Sequence, residues 1–181
     1  MGDNVTDNRR LERLEDRMEL LELPYRYARA VDDRDISVLA DLFCASGTFR
    51  HADGSFEVEG RSSIFEFYKN KLANFGMSIH APYGQVIQSQ GEHDATGWVD
   101  AHAEFVENNA FVTVGLRYED EYKKEEGVWR FASRTLWFWY FTEWENLAET
   151  VVQSDRRRVR EPYRMADLPD RLSTYLESKT G

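Results

Sequence analysis

Four strand-length segments follow one another between Ile79 and Tyr140 with only short turns between them, and few folds accommodate such a run. They are Ile79 to Ser89, Ala95 to Glu107, Ala110 to Lys123 and Val128 to Tyr140. Asn108-Asn109 and Glu125-Glu126-Gly127 supply residues that tolerate the left-handed backbone of tight hairpins, so neighbouring segments should pair antiparallel. Helical patterns come before this meander. One runs from about Asn8 to Val31 with an expected kink or break near Pro24, and a short one from Ile36 to Phe43 is capped by Asp35. A hairpin follows, made of Thr48 to His51, a turn at Ala52-Asp53-Gly54, and Ser55 to Val58. A further helix should start at Ser62 or Ser63 and reach about Phe75, with Ile64, Phe65, Phe67, Tyr68 and Leu72 on its apolar side. Helices first and a long meander afterwards predict an α+β fold, in which helices cover one face of a curved sheet.

Alternation within the strands says which side chains the helices cover. In the second long strand the odd positions Val99, Ala101, Ala103 and Phe105 are apolar and small, while Asp100, His102 and Glu104 point the other way. Two alanines on the covered face leave room for a cavity. Val112, Val114, Leu116 and Tyr118 share a side of the third strand, opposite Thr113, Arg117 and Glu119. In the last strand Ala132, Arg134 and Leu136 alternate with Trp129, Phe131 and Ser133. The aromatic run Trp137 to Phe141, with Trp144, exceeds the needs of one core face. Part of it should pack against a second subunit or under the C-terminal segment.

In the first helix Leu11, Leu14, Met18, Leu21, Tyr25 and Ala28 recur at spacings of three and four, predicting a buried stripe. Its next position is Asp32. A carboxylate there is costly to desolvate unless paired, and it faces the negative end of the helix dipole. His80 lies in an apolar setting, Met77 to Pro82, so an Asp32–His80 pair is the candidate chemistry. Asp32 could instead cap the Asp32-Asp33-Arg34-Asp35 turn or pair with Arg34, and Arg134 could bridge to a helix carboxylate such as Glu22. His93 reads as a solvated turn residue. The set Asp100, His102 and Glu104 reads as an ordinary polar strand face, so no metal site is expected.

Composition excludes several classes. With 181 residues, 41% hydrophobic, the chain suits one globular domain with an extension. Its net charge of −10 disfavours nucleic-acid binding, which needs a cationic surface. The single cysteine, Cys44, cannot form an intrachain disulfide. Residues Met1 to Arg10 lack the apolar core of a signal peptide, and no apolar run approaches a membrane span, so a cytoplasmic protein with no membrane partner is expected. The basic run Arg156-Arg157-Arg158, with Arg160 and Arg164, reads as a solvated face, a subunit contact, or a grip for the phosphates of a coenzyme A ester.

Several stretches, LEDRMELLELPYRYARAVDDRD, DLFCASGTF, EGRSSIFEFY, SIHAPYGQVI, DATGWVDAHAEF and LRYEDEYKKEEGVWRFASR, together resemble the SnoaL-like branch of the NTF2-like superfamily. The resemblance covers about Arg10 to Leu136. It implies a cone, a curved antiparallel sheet wrapped around N-terminal helices with an internal pocket. The implied division is a SnoaL-like domain over residues 1–142 and an extension over 143–181, packed on the domain or on a neighbouring subunit. Relatives include polyketide cyclases, ketosteroid isomerase, scytalone dehydratase, hexachlorocyclohexane dehydrochlorinase and bile-acid 7α-dehydratases.

The resemblance also implies roles. Asp32 and His80 match an aspartate that orients a catalytic histidine, while Tyr27 and Arg134 match the partners of the substrate oxygen. Phe49 and Tyr118 fall on pocket aromatics, and His51 falls where scytalone dehydratase carries a catalytic tyrosine. Ala103 stands where several relatives carry a second acid or base. Phe75, Ala101, Val114 and Leu116 complete the expected lining. The implied activity is cofactor-independent β-elimination on a hydrophobic polycyclic, steroid-like, terpenoid or polyketide molecule by a homo-oligomer, either dimer or trimer. The alternatives are a double-bond isomerase or cyclase in the same pocket, and a non-catalytic binding protein or a subunit like the small one of ring-hydroxylating dioxygenases.

Overall fold

The computed structural model describes the backbone of residues 2–180 and the side chains of residues 7–180, so the outermost residues of the two expected segments, 1 and 181, lie outside the described residues. Element order is α1 (Gly2–Asp32), α2 (Ile36–Asp41), β1 (Phe43–His51), β2 (Glu57–Glu59), α3 (Arg61–Leu72), β3 (Phe75–Gln90), β4 (Asp94–Glu107), β5 (Ala110–Glu125) and β6 (Val128–Glu143). Two short helices follow, α4 (Leu147–Thr150) and α5 (Ser173–Lys179). The strands form one six-stranded curved sheet in the order β2-β1-β6-β5-β4-β3. The α+β cone is therefore present. Its sheet is mixed rather than wholly antiparallel, because β1 returns beside β6 in parallel register.

The meander forms for the reasons its turns suggest. Asn108 and Asn109 both take positive φ, as do Glu126 and Gly127, which turns β4 into β5 and β5 into β6. In β4 the odd residues from Ala95 to Glu107 are buried on the concave face, as alternation predicts. In β6 simple alternation fails. Tyr122 pairs with Phe131 but Glu121 with Ser133, and Leu116 pairs with Phe138 but Gly115 with Tyr140, so Ala132 and Trp139 are extra residues in bulges. Each bulge resets the inward phase. Trp129 and Phe131 thus share the concave side with Arg134, Leu136, Phe138 and Phe141, across from the inward residues of β5.

The stripe expected on α1 is displaced. Leu11, Leu14, Met18 and Tyr25 are each more than half exposed, whereas Leu20, Leu23, Tyr27, Ala30 and Val31 are buried. The sheet-facing line of α1 runs through Arg13, Asp16, Leu20, Leu23, Tyr27 and Val31, with Gln90 of β3 bonded to Arg13 O and Lys124 of β5 to Asp16, so Leu11, Leu14 and Met18 lie off that line. Asp32 accordingly sits at the edge of the buried face and is partly accessible. α1 also continues through Pro24 without the expected break. Proline cannot donate to the carbonyl one turn earlier, that of Leu20. The side chain of Gln85 on β3 donates to that carbonyl at 3.0 Å instead, which satisfies the acceptor and ties helix to sheet.

Arg134 lies fully buried beneath the cavity. Its Nε and Nη2 donate to the two carboxylate oxygens of Asp120, each at 2.9 Å, and its guanidinium carbon lies 4.0–4.2 Å from the ring centres of Tyr118, Phe131 and Tyr27. Its counter-ion is a strand aspartate on β5, not Glu22.

After β6 the chain forms a 3-10 turn (Trp144–Asn146) and the four-residue α4, and the helix stops there. Val151-Val152 followed by Ser154 and three consecutive arginines make a poor helix continuation. The segment instead turns back along β6. Phe141 donates its backbone N–H to Arg156 O at 2.8 Å and accepts the N–H of Arg158 at 2.7 Å, a parallel bridge around Arg157. Buried Asp167 accepts the backbone N–H of Phe138 at 2.9 Å. Burial raises the pKa of the Asp167 carboxyl, but His51, the Phe138 N–H and Arg157 together outweigh it, and the net position is below the ordinary carboxylate value. Asp53, which receives Arg157, Ser55 and His51, is depressed in the same way against its own burial.

Two predictions arise from these contacts. Gln85→Leu should destabilise the protein by about 1–2 kcal/mol in urea unfolding, because the Leu20 carbonyl loses its donor. Pro24→Ala added to that background should recover part of the loss by restoring a backbone N–H, and no recovery would refute the Gln85–Pro24 coupling. Carboxylates with depressed folded pKa values stabilise above their unfolded value and lose that contribution as pH falls through the folded one. The segment over residues 156–168 should therefore lose amide-exchange protection progressively as pH falls below about 4, the ordinary carboxylate value, while the β4–β5 hairpin keeps its own.

Candidate functional site

The site is built around the last residue of α1 and the first half of β3. Nδ1 of His80 lies 2.7 Å from Asp32 Oδ1, and the backbone N–H of His80 donates to Asp32 Oδ2 at 2.7 Å. Ser78, two residues earlier on the same strand face, donates its hydroxyl to Oδ1 at 3.0 Å. Asp32 does not pair with Arg34, and the cap of α2 is Asp35, whose side chain accepts the N–H of Val38 at 3.1 Å. Arg34 adopts positive φ and bridges the two elements from outside. Its Nη1 donates to Val31 O at 2.8 Å and to Ser78 Oγ at 2.7 Å, and its Nη2 donates to Gly76 O.

Electrostatics favour an ionised Asp32. Its partial burial raises the carboxyl pKa, yet the bonds from the His80 side chain and backbone and from Ser78 more than compensate, so it lies below the ordinary value. An ionised Asp32 accepts a proton-bearing Nδ1, which fixes the tautomer and leaves Nε2 as the ring nitrogen available to a ligand. His80 lines a cavity of about 420 Å³ between the helices and the concave face of the sheet. That is within the range of small-molecule sites.

The expected residues fall into two groups. Tyr27, Phe49, His51, Phe75, Ala103, Val114, Leu116 and Tyr118 line the same cavity as His80. Asp32 lies behind His80, as an orienting group should. Arg134 and Ala101 do not line the cavity, which corrects the expectation for both. Arg134 is sealed under the rings of Tyr27 and Tyr118 with its charge matched by Asp120, and Ala101 is fully buried against the helices. Any effect of Arg134 on a ligand must pass through the tyrosines stacked on it.

Tyr68 is a cavity residue that the sequence placed only on an apolar helix side. It follows Ile64 and precedes Leu72 at four-residue spacing, all buried, and a tyrosine on such a stripe needs a partner for its hydroxyl. That partner is the hydroxyl of Tyr27, which also approaches that of Tyr118. Burial raises the pKa of all three phenols well above its usual value. They remain protonated and form a set of neutral donors at the cavity floor. His51 lines the cavity beside Phe138, on which it stacks at 5.0 Å. Its Nδ1 meets Asp53, and its Nε2 is 3.1 Å from Asp167 Oδ2, though poorly aligned for a hydrogen bond. On the convex face, Asp100 pairs with Arg117 at 2.8 Å, and His102 packs between Tyr83 and Tyr140, so neither belongs to the site.

Among solved structures, a candidate aromatic ring hydroxylase from Novosphingobium aromaticivorans aligns with 26% identity and a TM-score of 0.67, over 72% of this chain and 94% of the other. Hexachlorocyclohexane dehydrochlorinase LinA-type3 from Novosphingobium barchaimii LL02 aligns with 22% identity and a TM-score of 0.66, over 74% and 92%. A candidate scytalone dehydratase from Novosphingobium aromaticivorans gives 19% identity and 0.68, over 74% and 90%. These likenesses bear on the fold. No curated protein matches the chain. No helix among the described residues is long and apolar enough to cross a membrane. A family model described as a SnoaL-like domain matches residues 12–135, more than half of the chain, and its span takes in Asp32, His80 and the three tyrosines. The chain therefore belongs to the SnoaL-like family.

Proposed function

We propose that this protein is a lyase that eliminates a leaving group from a hydrophobic small molecule, with His80 as the base. The observation that carries this reading is the Asp32–His80 pair at 2.7 Å, whose histidine lines a cavity with a largely aromatic and aliphatic wall. Nε2 of His80 takes a proton from a carbon next to an electron-withdrawing oxygen function, and Asp32 stabilises the imidazolium that results. Electrons of the broken C–H bond form the new double bond as the leaving group departs from the adjacent carbon. The Tyr27 and Tyr68 hydroxyls bond to each other, which uses one of their protons, and a proton left over in the Tyr27–Tyr68–Tyr118 set donates to oxygen where negative charge develops, without any of the three becoming charged. Arg134 backs two of these rings and makes their hydroxyls better donors. No side chain is placed as a nucleophile, and the route needs no covalent intermediate. The names of a dehydrochlorinase and a candidate dehydratase among structures of the same fold agree with an elimination.

The reading is tested first with a ligand. A thermal-shift screen of steroids, polyketide aromatics and acyl thioesters selects compounds that bind, since a tight ligand raises apparent stability. With such a compound in D2O, the wild-type protein should exchange the acidic C–H or release the leaving group, as followed by NMR. His80→Ala should lower that rate by about 10²–10⁴-fold, and Asp32→Asn should lower it comparably, with ligand affinity nearly unchanged in both. Exchange without release would instead identify a double-bond isomerase. Equal rates in wild type and both variants would leave a binding protein with no chemistry in this pocket.

The tyrosine set carries its own prediction. Tyr27→Phe removes the hydroxyl that meets both Tyr68 and Tyr118 and should reduce turnover by about 10–10³-fold through loss of an oxyanion donor. Steady-state kinetics should place the loss mainly in kcat. A loss confined to KM would assign Tyr27 to ground-state binding alone.

A further inference from the structure

We propose that the substrate is an amphiphile, an apolar body in the cone with an anionic carboxylate, phosphate or sulfate at its outer end, held by Lys71, Arg160 and Arg164. This rests on the reading of the cavity as the substrate site. The cavity is lined by aromatic and aliphatic side chains, yet its lining also includes four cations, Lys71, Arg157, Arg160 and Arg164, and no aspartate or glutamate. In a chain of net charge −10 such segregation is not a random sampling of the surface. The same four cations also line an adjoining cleft of about 300 Å³ between α3 and the C-terminal segment, so they mark the mouth where the two spaces meet.

Local ion pairs do not use up this charge. Arg157 is held by Asp53 at 2.7 Å and is mostly covered, so it acts as a fixed wall of the mouth. Lys71, at 3.4 Å, and Arg160 share a single carboxylate, the buried Glu107 at the end of β4. The side chain of Arg164 has no hydrogen-bond or ion-pair partner among the described residues, and Glu161 in the adjoining cleft pairs with none of the four. Four cations therefore face two carboxylates, with Arg164 free to take a ligand. An anion at the mouth would meet guanidinium donors at the edge of an apolar space, where charge-assisted bonds are stronger than in open water.

The arrangement is built, not incidental. Arg157 and Arg164 form an antiparallel bridge through reciprocal backbone bonds of 3.1 Å, and Arg157 also bridges to Phe141 of β6. Asp167 anchors the same segment beside His51. Three of the four cations lie beyond residue 135, where the family match ends. The dyad and Lys71 thus lie within the family match, and the three arginines outside it.

The test compares four probes with one bicyclic body by calorimetry on the full chain, 2-naphthol, 2-naphthoate, 2-naphthyl phosphate and 2-naphthyl sulfate. At least one anion should bind about tenfold or more tightly than the neutral phenol at low salt, and the advantage should shrink with added NaCl. Whichever anion binds tightest identifies the head group. Arg164→Gln should erase most of that preference and leave the 2-naphthol Kd unchanged. Lys71→Gln, at a second exposed position, should reduce it in part. The same titrations in His80→Ala protein separate this proposal from the lyase reading, because the head-group preference should persist there although turnover is lost. Equal affinity for all four probes, no binding of any anion, or a preference that survives Arg164→Gln would overturn it, even if elimination by the dyad were established.

Discussion

A carboxylate at the end of α1 takes three bonds from β3, two from His80 and one from Ser78. This contact does two jobs that would otherwise need separate devices. It fastens the C-terminal end of the long helix to the edge strand of the sheet, opposite the Gln85 bond near the middle of that helix. It also fixes which ring nitrogen of His80 remains for a ligand. The bonds that saturate the carboxylate are those that hold its pKa down against burial, so the orienting group stays ionised wherever the imidazole is a useful base. Position and protonation state come from one set of contacts.

The hollow beside that dyad depends on strand geometry as much as on small side chains. Ala103 leaves space, but the bulges at Ala132 and Trp139 decide what surrounds it, because they turn Arg134, Leu136, Phe138 and Phe141 inward in succession. Arg134 with Asp120 then fills the narrow end with a matched buried pair rather than hydrocarbon. Such a pair contributes little net stability, since desolvation offsets the Coulombic gain. Its guanidinium carbon lies 4.2 and 4.0 Å from the ring centres of Tyr27 and Tyr118, two of the tyrosines that line the cavity, so aromatic rings stand between its charge and the cavity.

Much of this was legible in the residues. The hairpin turns, the Asp35 cap and the inward phase of β4 follow from local chemistry, whereas the pairing of Asp32 with His80, 48 residues apart, was legible mainly through the family resemblance. What was not legible depends on registers that no local pattern contains. The face of α1 that meets the sheet carries polar contacts at Arg13 and Asp16 before its apolar residues begin at Leu20, so the apolar residues Leu11, Leu14 and Met18 point to a false stripe. A bulge is one inserted residue, invisible to a period-two reading, and it moved Trp129 and Phe131 to the side of Arg134. The counter-ion of Arg134 was missed because Asp120 alternates with polar neighbours at Glu119 and Glu121 and looks like one more surface acid. Tyr68 was visible only as an apolar position, though its hydroxyl was a clue that a second polar group lay within reach.

The C-terminal segment lies across the mouth of the cavity that His80 lines. Here the closing segment is polar and cationic, and it is fastened by carboxylates at Asp53 and Asp167 rather than by an apolar plug. Both fastenings converge on His51, whose ring also forms part of the cavity wall. Asp53 bonds both to His51 on the cavity wall and to Arg157 of the C-terminal segment, so the wall and the mouth are joined through one carboxylate, from two parts of the chain that the sequence keeps a hundred residues apart.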